Sequence, residues 1–221
     1  SAARRFGAVM VKPRDGKQGK GIVKIAAAGG KWLWKEQHSR AEALSEAALT
    51  ARLAARFRPG KAVVQRWMDI RCPQGGVFDI RVLMQRAGDG AWRRTATAVR
   101  QSGVSQIASN VTGGGAVRDA EPFLTRMYGE AAARILEEIR RVAEGLPAAL
   151  EAQYGRRFAE LGIDLAVERG GAVRIIEVNI KPGKKIVRAL HGDRAYADAL
   201  LAPVRWARRL SDRRDCPSTG S

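Results

Sequence analysis

Ile175-Ile176-Glu177-Val178-Asn179-Ile180-Lys181-Pro182-Gly183 is the stretch that decides how this chain reads. A run of β-forming residues carries a carboxylate, Glu177, and two residues later an amide, Asn179. Side chains alternate along a strand, so both point to one face. Pro182 and Gly183 then end the strand. Upstream lies a second short apolar run, Gly162-Ile163-Asp164-Leu165-Ala166-Val167. It closes in Glu168-Arg169-Gly170-Gly171, whose paired glycines signal a β-hairpin turn. Folding that hairpin carries Asp164 towards Glu177 and Asn179. Two carboxylates and an amide oxygen make a hard, all-oxygen donor set, of the kind Mg²⁺ takes when phosphate oxygens complete its shell, with Mn²⁺ as the alternative ion. The plainer alternative is an ordinary buried hairpin with polar residues at its rim.

Near the start, Ala8-Val9-Met10-Val11-Lys12-Pro13 reads as a strand closed by a proline, and Ile22-Val23-Lys24-Ile25 as another. Between them runs Arg14-Asp15-Gly16-Lys17-Gln18-Gly19-Lys20-Gly21. Glycines 16, 19 and 21 permit positive φ and close backbone approach. Their N–H groups can form an anion-binding nest, to which Lys17 and Lys20 add charge. The G-x-x-x-x-G-K-[ST] loop is absent and a strand rather than a helix follows, so a glycine-rich hairpin over phosphates describes the segment better. A mobile basic hairpin tip is the alternative. A phosphate loop together with a distant cation site is what a nucleotide requires.

The order of motifs resembles the ATP-grasp superfamily, and within it the YheC/YheD-type, endospore coat-associated branch. The motifs are Val11-Lys12-Pro13, Gly16 to Gly21, Phe78-Asp79-Ile80-Arg81, Asn110 with Gly113-Gly114-Gly115, Gly162-Ile163-Asp164 and the stretch from Glu177 to Gly183. They cover nearly all of residues 7–190. The resemblance implies an α+β, ATP-grasp fold of two α+β subdomains clamping a nucleotide. It implies ATP and Mg²⁺ as cofactors and a ligase that joins a carboxylate to an amine or thiol through an acyl phosphate. Lys12 would contact phosphates, and Gln65, Arg66, Trp67 and Met68 would form the hinge that reads adenine. Gln65 departs from the acidic residue many relatives carry there. Asp79 would hold the ribose hydroxyls and Arg81 a phosphate or the substrate, and Asn110 would sit in a phosphate- or substrate-contacting loop. Arg100 ends the following strand and can reach the same cleft. Core packing for Trp67 and Met68, and a cross-strand ion pair for Asp79 and Arg81, are the simpler readings. Lys181, Lys184 and Lys185 either grip an acidic substrate or lie in a solvated loop. ATP-grasp enzymes also carry a domain ahead of the lid. Its place here is expected to be taken by a partner chain or a preceding segment.

Composition narrows the classes. At 221 residues the chain is long enough for a real core, and no stretch approaches the ~20 apolar residues of a membrane span. No apolar signal-peptide core follows Arg4 and Arg5. With two cysteines, Cys72 and Cys216, and two histidines, His38 and His191, a disulfide framework, a zinc site and a Ser-His-Asp triad are all poorly supplied. The chain fits a reducing cytoplasm, with spore association implied by the resemblance. The net charge is +18, and residues 1–110 alone, with 21 basic and 7 acidic residues, carry +14. This field suits ATP and an acidic peptide or polymer. Compositional drift is the alternative, and a nucleic-acid partner rests on charge alone, because no basic run is interleaved with aromatics. A kinase-like variant of the fold and a nucleotide-binding coat component with little turnover are the remaining alternatives.

The element pattern supports two units. Residues 1–60 read as a small lid: strands 8–12, 21–26 and 31–35, then a helix over 40–57 started by a Ser39/Glu42 capping box and stopped by Pro59-Gly60. Residues 61–210 read as the large subdomain. It comprises strands 62–68, 77–86 and 91–100, a Gly/Ser/Asn-rich loop over 101–120, and a helical region 123–159 broken near Gly145 and Pro147. The metal hairpin and a helix at 194–209 complete it. Ser211–Ser221 reads as a disordered tail. Antiparallel hairpins exclude a doubly wound sheet.

Overall fold

The computed structural model describes residues 2–14, 21–36, 39–73, 76–103 and 115–214. The chain divides into two compact units, Ser1–Phe78 with Gln101–Gly115, and Asp79–Arg100 with Ala116–Ser221.

The first unit holds α1 (Ala2–Phe6), β1 (Ala8–Pro13), β2 (Val23–Ala28), β3 (Lys31–Glu36), β4 (Glu42–Leu44), α2 (Glu46–Arg56) and β5 (Ala62–Arg66). Its sheet runs β4-β3-β2-β1-β5. Alternation is clean: Val9, Val11, Val23, Ile25, Trp32 and Trp34 turn to one face and bury against Leu49 of α2 and Ala3 of α1. The opposite face of β1 carries Met10 and Lys12, with Lys24 and Gln65 directly across from Met10. Two expectations change. β5 pairs with β1 over Val9–Pro13, so the strand read as opening the large subdomain belongs to the first sheet. The helix starts later than the Ser39/Glu42 pattern suggests. Ser45 is the N-cap, accepting from the Ala48 N–H at 3.2 Å. Glu42 to Leu44 instead pair with β3, placing Leu44 opposite Trp32, and Ser39 hydrogen-bonds the backbone of Glu36. Completing the sheet outweighs the local capping signal.

The second unit holds β6 (Phe78–Arg86), β7 (Trp92–Gln101), β8 (Ala116–Asp119), α3 (Ala120–Tyr128), α4 (Ala131–Tyr154), β9 (Glu160–Val167), β10 (Val173–Asn179) and α5 (Lys185–Arg214). The sheet order is β10-β9-β6-β7-β8. Ile80, Val82, Leu161, Ile163, Leu165 and Val167 are fully buried, as are Leu124 of α3 and Ile135 of α4. Leu83, on the opposite face of β6, packs with Ala96, Ala98 and the α5 residues Ile186, Val187 and Ala199. The expected break at Gly145 and Pro147 is absent. Ile135, Ile139, Ala143 and Pro147 form one buried stripe, and α4 runs through it unbroken. The interruption falls earlier, at Gly129, a C-cap with φ 55°. β8 occupies part of the expected loop. α5 begins at Lys185, changes direction at Gly192 (φ 81°, ψ −177°) and continues to Arg214, past the expected start of the tail.

Arg86 pins the far end of this unit. Its guanidinium lies between the rings of Trp92 and Trp206 and donates to Phe158 O, Gly90 O and the Glu151 carboxylate. Burial pushes the Glu151 pKa up, but hydrogen bonds from Arg86 and the Phe158 N–H outweigh it and hold the carboxyl below its ordinary 4.5. A lowered carboxyl pKa contributes stability that is complete above about pH 4.5 and lost as pH falls through the folded-state value. Glu151→Gln should therefore show a shallower loss of melting temperature than wild type between about pH 5 and pH 3. Parallel acid limbs in a pH series of thermal melts would contradict this.

Candidate functional site

The sheet of the second unit gathers a row of charged side chains on one face. Arg81 of β6 stands opposite Asp164 of β9, and Asp164 stands opposite Glu177 of β10. That last alignment depends on a bulge. Ile175 pairs with Leu165, yet Glu177 pairs with Asp164, so Ile176 is the extra residue. An unbroken ladder would set Glu177 against Ile163 on the apolar face, because a one-residue slip turns every later side chain over. The bulge keeps Ile175 with the apolar set and turns Glu177 and Asn179 to the face of Asp164. Asn179 Nδ2 donates to Glu177 Oε1 at 3.0 Å, holding the two β10 donors side by side.

The charges on this face are interlocked. Arg81 grips Asp164 with both Nε and Nη2. Arg100 of β7 grips Asp79 through Nε (2.7 Å) and Nη2 (2.5 Å), and the same Nη2 lies 2.9 Å from Asp164 Oδ2. Asp79 and Asp164 are each only 3% exposed. Burial works against the charge of Arg100, but Asp79 and Asp164 more than offset it, and its pKa is pushed up. The simpler expectation of a cross-strand ion pair is met for both residues: Asp79 pairs with Arg100 of β7 and Arg81 with Asp164 of β9.

A second buried cluster fastens the loop after β10. Lys184 Nζ lies 2.8 Å from Glu160 Oε1, and Gln85 Nε2 donates to Glu160 Oε2 (2.9 Å) and to Ala199 O (2.7 Å). Lys184 is thereby tied to Glu160, its side chain 11% exposed. Pro182, also buried, folds over Gly162, where a Cβ would stand 2.6 Å from Pro182 Cβ and 3.2 Å from Arg81 Nη1. Neither that tie nor this contact was anticipated. The available signal was Gly162 itself, which shares the face of Asp164 by alternation.

In the first unit, Lys12 lies on β1 opposite Val63. Gly21 has φ 75° and packs against the Pro13 ring, closing the base of the β1–β2 hairpin. Arg66 ends β5 and Gln65 precedes it. Trp67 N–H donates to Ala8 O, and Lys24 Nζ sits 4.1 Å from the Trp67 ring centroid. Burial and Arg71 lower the Lys24 pKa. Met68 follows, half-buried. Gly16, Lys17, Gln18, Gly19, Lys20 and Asn110 lie outside the described residues, as do His38 and Cys216.

As a cation site, Asp164, Glu177 and Asn179 offer hard oxygen donors on one sheet face, in matched register, which suits Mg²⁺. Among the described residues, no group of three or more His, Cys, Asp and Glu side chains is placed to hold a metal. Among them, too, no helix is long and apolar enough to cross a membrane.

Two five-stranded sheets with flanking helices make an α+β architecture. The YheC/D-like ATP-grasp family model matches residues 1–210, and the chain belongs to that family. It is 27% identical over 203 residues to the endospore coat-associated protein YheD of Bacillus subtilis (strain 168), covering 87% of this chain and 43% of that protein. It is 25% identical over 125 residues to YheC of the same organism, covering 57% of this chain and 34% of that protein. The chain thus spans less than half the length of either relative. Among solved structures it resembles D-cycloserine synthetase DcsG, with a TM-score of 0.51, 16% identity, and coverage of 96% of this chain and 58% of that one. This likeness bears on the fold.

Gly162→Ala should cost about 1–3 kcal/mol in urea unfolding, because Pro182 cannot swing aside as a flexible side chain would. Gly183→Ala, where the added carbon meets open space, is the control and should change little.

Proposed function

We propose that the chain is an ATP- and Mg²⁺-dependent ligase joining a carboxylate to an amine or a thiol. The observation that carries this reading is the register of Asp164, Glu177 and Asn179 beside Arg81 and Arg100, on the sheet of an ATP-grasp family member. The name of the structural neighbour, a synthetase, agrees with it.

The division of labour follows from the chemistry of each group. Asp164, Glu177 and Asn179 would hold Mg²⁺, which when bound neutralises phosphate oxygens. Arg81 and Arg100 present planar guanidiniums suited to phosphoryl or carboxylate oxygens. In the first unit, Lys12 and the hairpin of Gly16 to Gly21 would take phosphates, and Gln65 to Met68 the base. Asp79 would meet the ribose. Phosphorylation of the substrate carboxylate by ATP gives an acyl phosphate and ADP. Attack by the amine forms the C–N bond, with inorganic phosphate leaving and the amine proton passing to solvent. No side chain need act as a covalent nucleophile, so positioning and electrostatics carry the reaction. The excess positive charge of residues 1–110 suits an acidic peptide or polymer as the carboxylate.

A second reading draws on the relatives' names: a coat-associated, nucleotide-binding component with little turnover. ADP release in the presence of candidate acids and amines separates the two.

Calorimetry tests the site itself. ATP should bind wild type at least about tenfold more tightly with Mg²⁺ than without, and Glu177→Ala should lose most of that difference. In the same series Lys12→Ala should weaken ATP by about 1.5–3 kcal/mol and leave adenosine nearly unchanged. One affinity for all proteins and conditions would overturn the assignment.

A further inference from the structure

Both oxygens of Asp164, the most buried member of the proposed donor set, are already taken. Arg81 donates to Oδ1 and Oδ2, and Arg100 also reaches Oδ2. A divalent cation approaching this carboxylate meets two guanidiniums, and like charges at such distances repel strongly where water is largely excluded. The two arginines are not equivalent. Arg81 holds Asp164 in a fork, its side chain 11% exposed, with Nη1 lodged over Gly162. Arg100 touches Asp164 through one nitrogen, is 18% exposed, and keeps a two-point hold on Asp79. It is the member that can turn away without leaving its own charge unpaired.

We propose that Arg100 is a positioning residue that gates the cation site: it occupies Asp164 until a tetrahedral dianion draws its guanidinium away from that carboxylate, and only then does Asp164 serve the cation fully. Anion and cation then bind cooperatively through the protein, in addition to any direct contact between them. This rests on the cation site under Proposed function. The remaining members of the face fit the scheme. Asp79 retains Arg100 by its second carboxylate contact, and Glu177 and Asn179, on the edge strand β10, lie where a first weak encounter with the cation can occur. Two linked ligands must strengthen each other by the same factor, so the gate is measurable without turnover.

The probes are Mn²⁺, followed by the electron paramagnetic resonance signal of the free ion, and sulfate, with ionic strength matched by sodium chloride. In wild type, sulfate should tighten Mn²⁺ binding about tenfold. In Arg100→Gln, Mn²⁺ should bind more tightly than in wild type without sulfate, and the sulfate effect should shrink to about twofold or less. A direct Mn²⁺–sulfate contact would survive this change, so an equal sulfate effect in both proteins overturns the gate. Absence of any sulfate effect in wild type does the same. Because Arg100→Gln strips Asp79 of a partner, its fold is checked by a thermal melt. If it does not fold, Arg100→Lys replaces it: an ammonium lacks the planar Nε–Nη2 edge that holds Asp79 while Nη2 reaches Asp164, and an unreduced sulfate effect there also overturns the gate. Mn²⁺ that fails to bind under every condition overturns the cation site as well. Mg²⁺-dependent ATP binding together with no change in the sulfate effect leaves the proposed function standing and removes the gate alone.

Discussion

The Arg81–Asp164–Arg100–Asp79 network is the constraint on which the second unit depends. Four charges of alternating sign sit on one sheet face, with both carboxylates almost wholly shielded from water. Taking such groups out of water is costly, and removing one partner from a buried pair costs about 3–5 kcal/mol because its mate is stranded. A hydrophobic row of the same volume would serve stability as well or better. The chain carries charge here, which is understandable if the face exists to meet a charged ligand. The strands that supply it, β7, β6 and β9, are neighbours in the sheet, and the contact of Arg81 with Asp164 joins residues 83 apart in sequence.

Around that face the fold acts as a mount. Leu83 and Gln85 share it with the charged row, but their end is roofed by α5, through Ile186, Val187 and the Ala199 carbonyl. The Glu160–Lys184 pair and the Pro182–Gly162 contact bring the chain back over the sheet straight after the donor strand. Arg86, wedged between two tryptophans, ties the opposite end.

The first unit follows a simpler rule. One sheet face is apolar and packs on α2, and the other bears Lys12, Lys24 and Gln65 beside Trp67. The stacked ammonium of Lys24 both shields and orients the indole, which is the one large aromatic surface on the segment after β5. The chain's match to the YheC/D-like ATP-grasp family runs over both units, through residues 1–210.

Much of this was legible in the sequence because it is local. The run from Ala8 to Pro13 read as a strand closed by its proline, and the structure has β1 there. The Gly-Gly turn fixed the β9–β10 hairpin, and E-x-N put Glu177 and Asn179 on one face. The family could be read from the order of short motifs. The tertiary structure decided what local rules cannot see. Strand pairing claimed Glu42 to Leu44 from the helix and β5 for the first sheet. A buried stripe carried α4 through Pro147. Above all, a bulge at Ile176 turned Glu177 to the face of Asp164, and sheet order chose Asp164 and Asp79 as the partners of Arg81 and Arg100. Alternation fixes which residues share a face within a strand. Register and neighbour between strands are set by the whole pattern of burial, which exists only once the chain has folded.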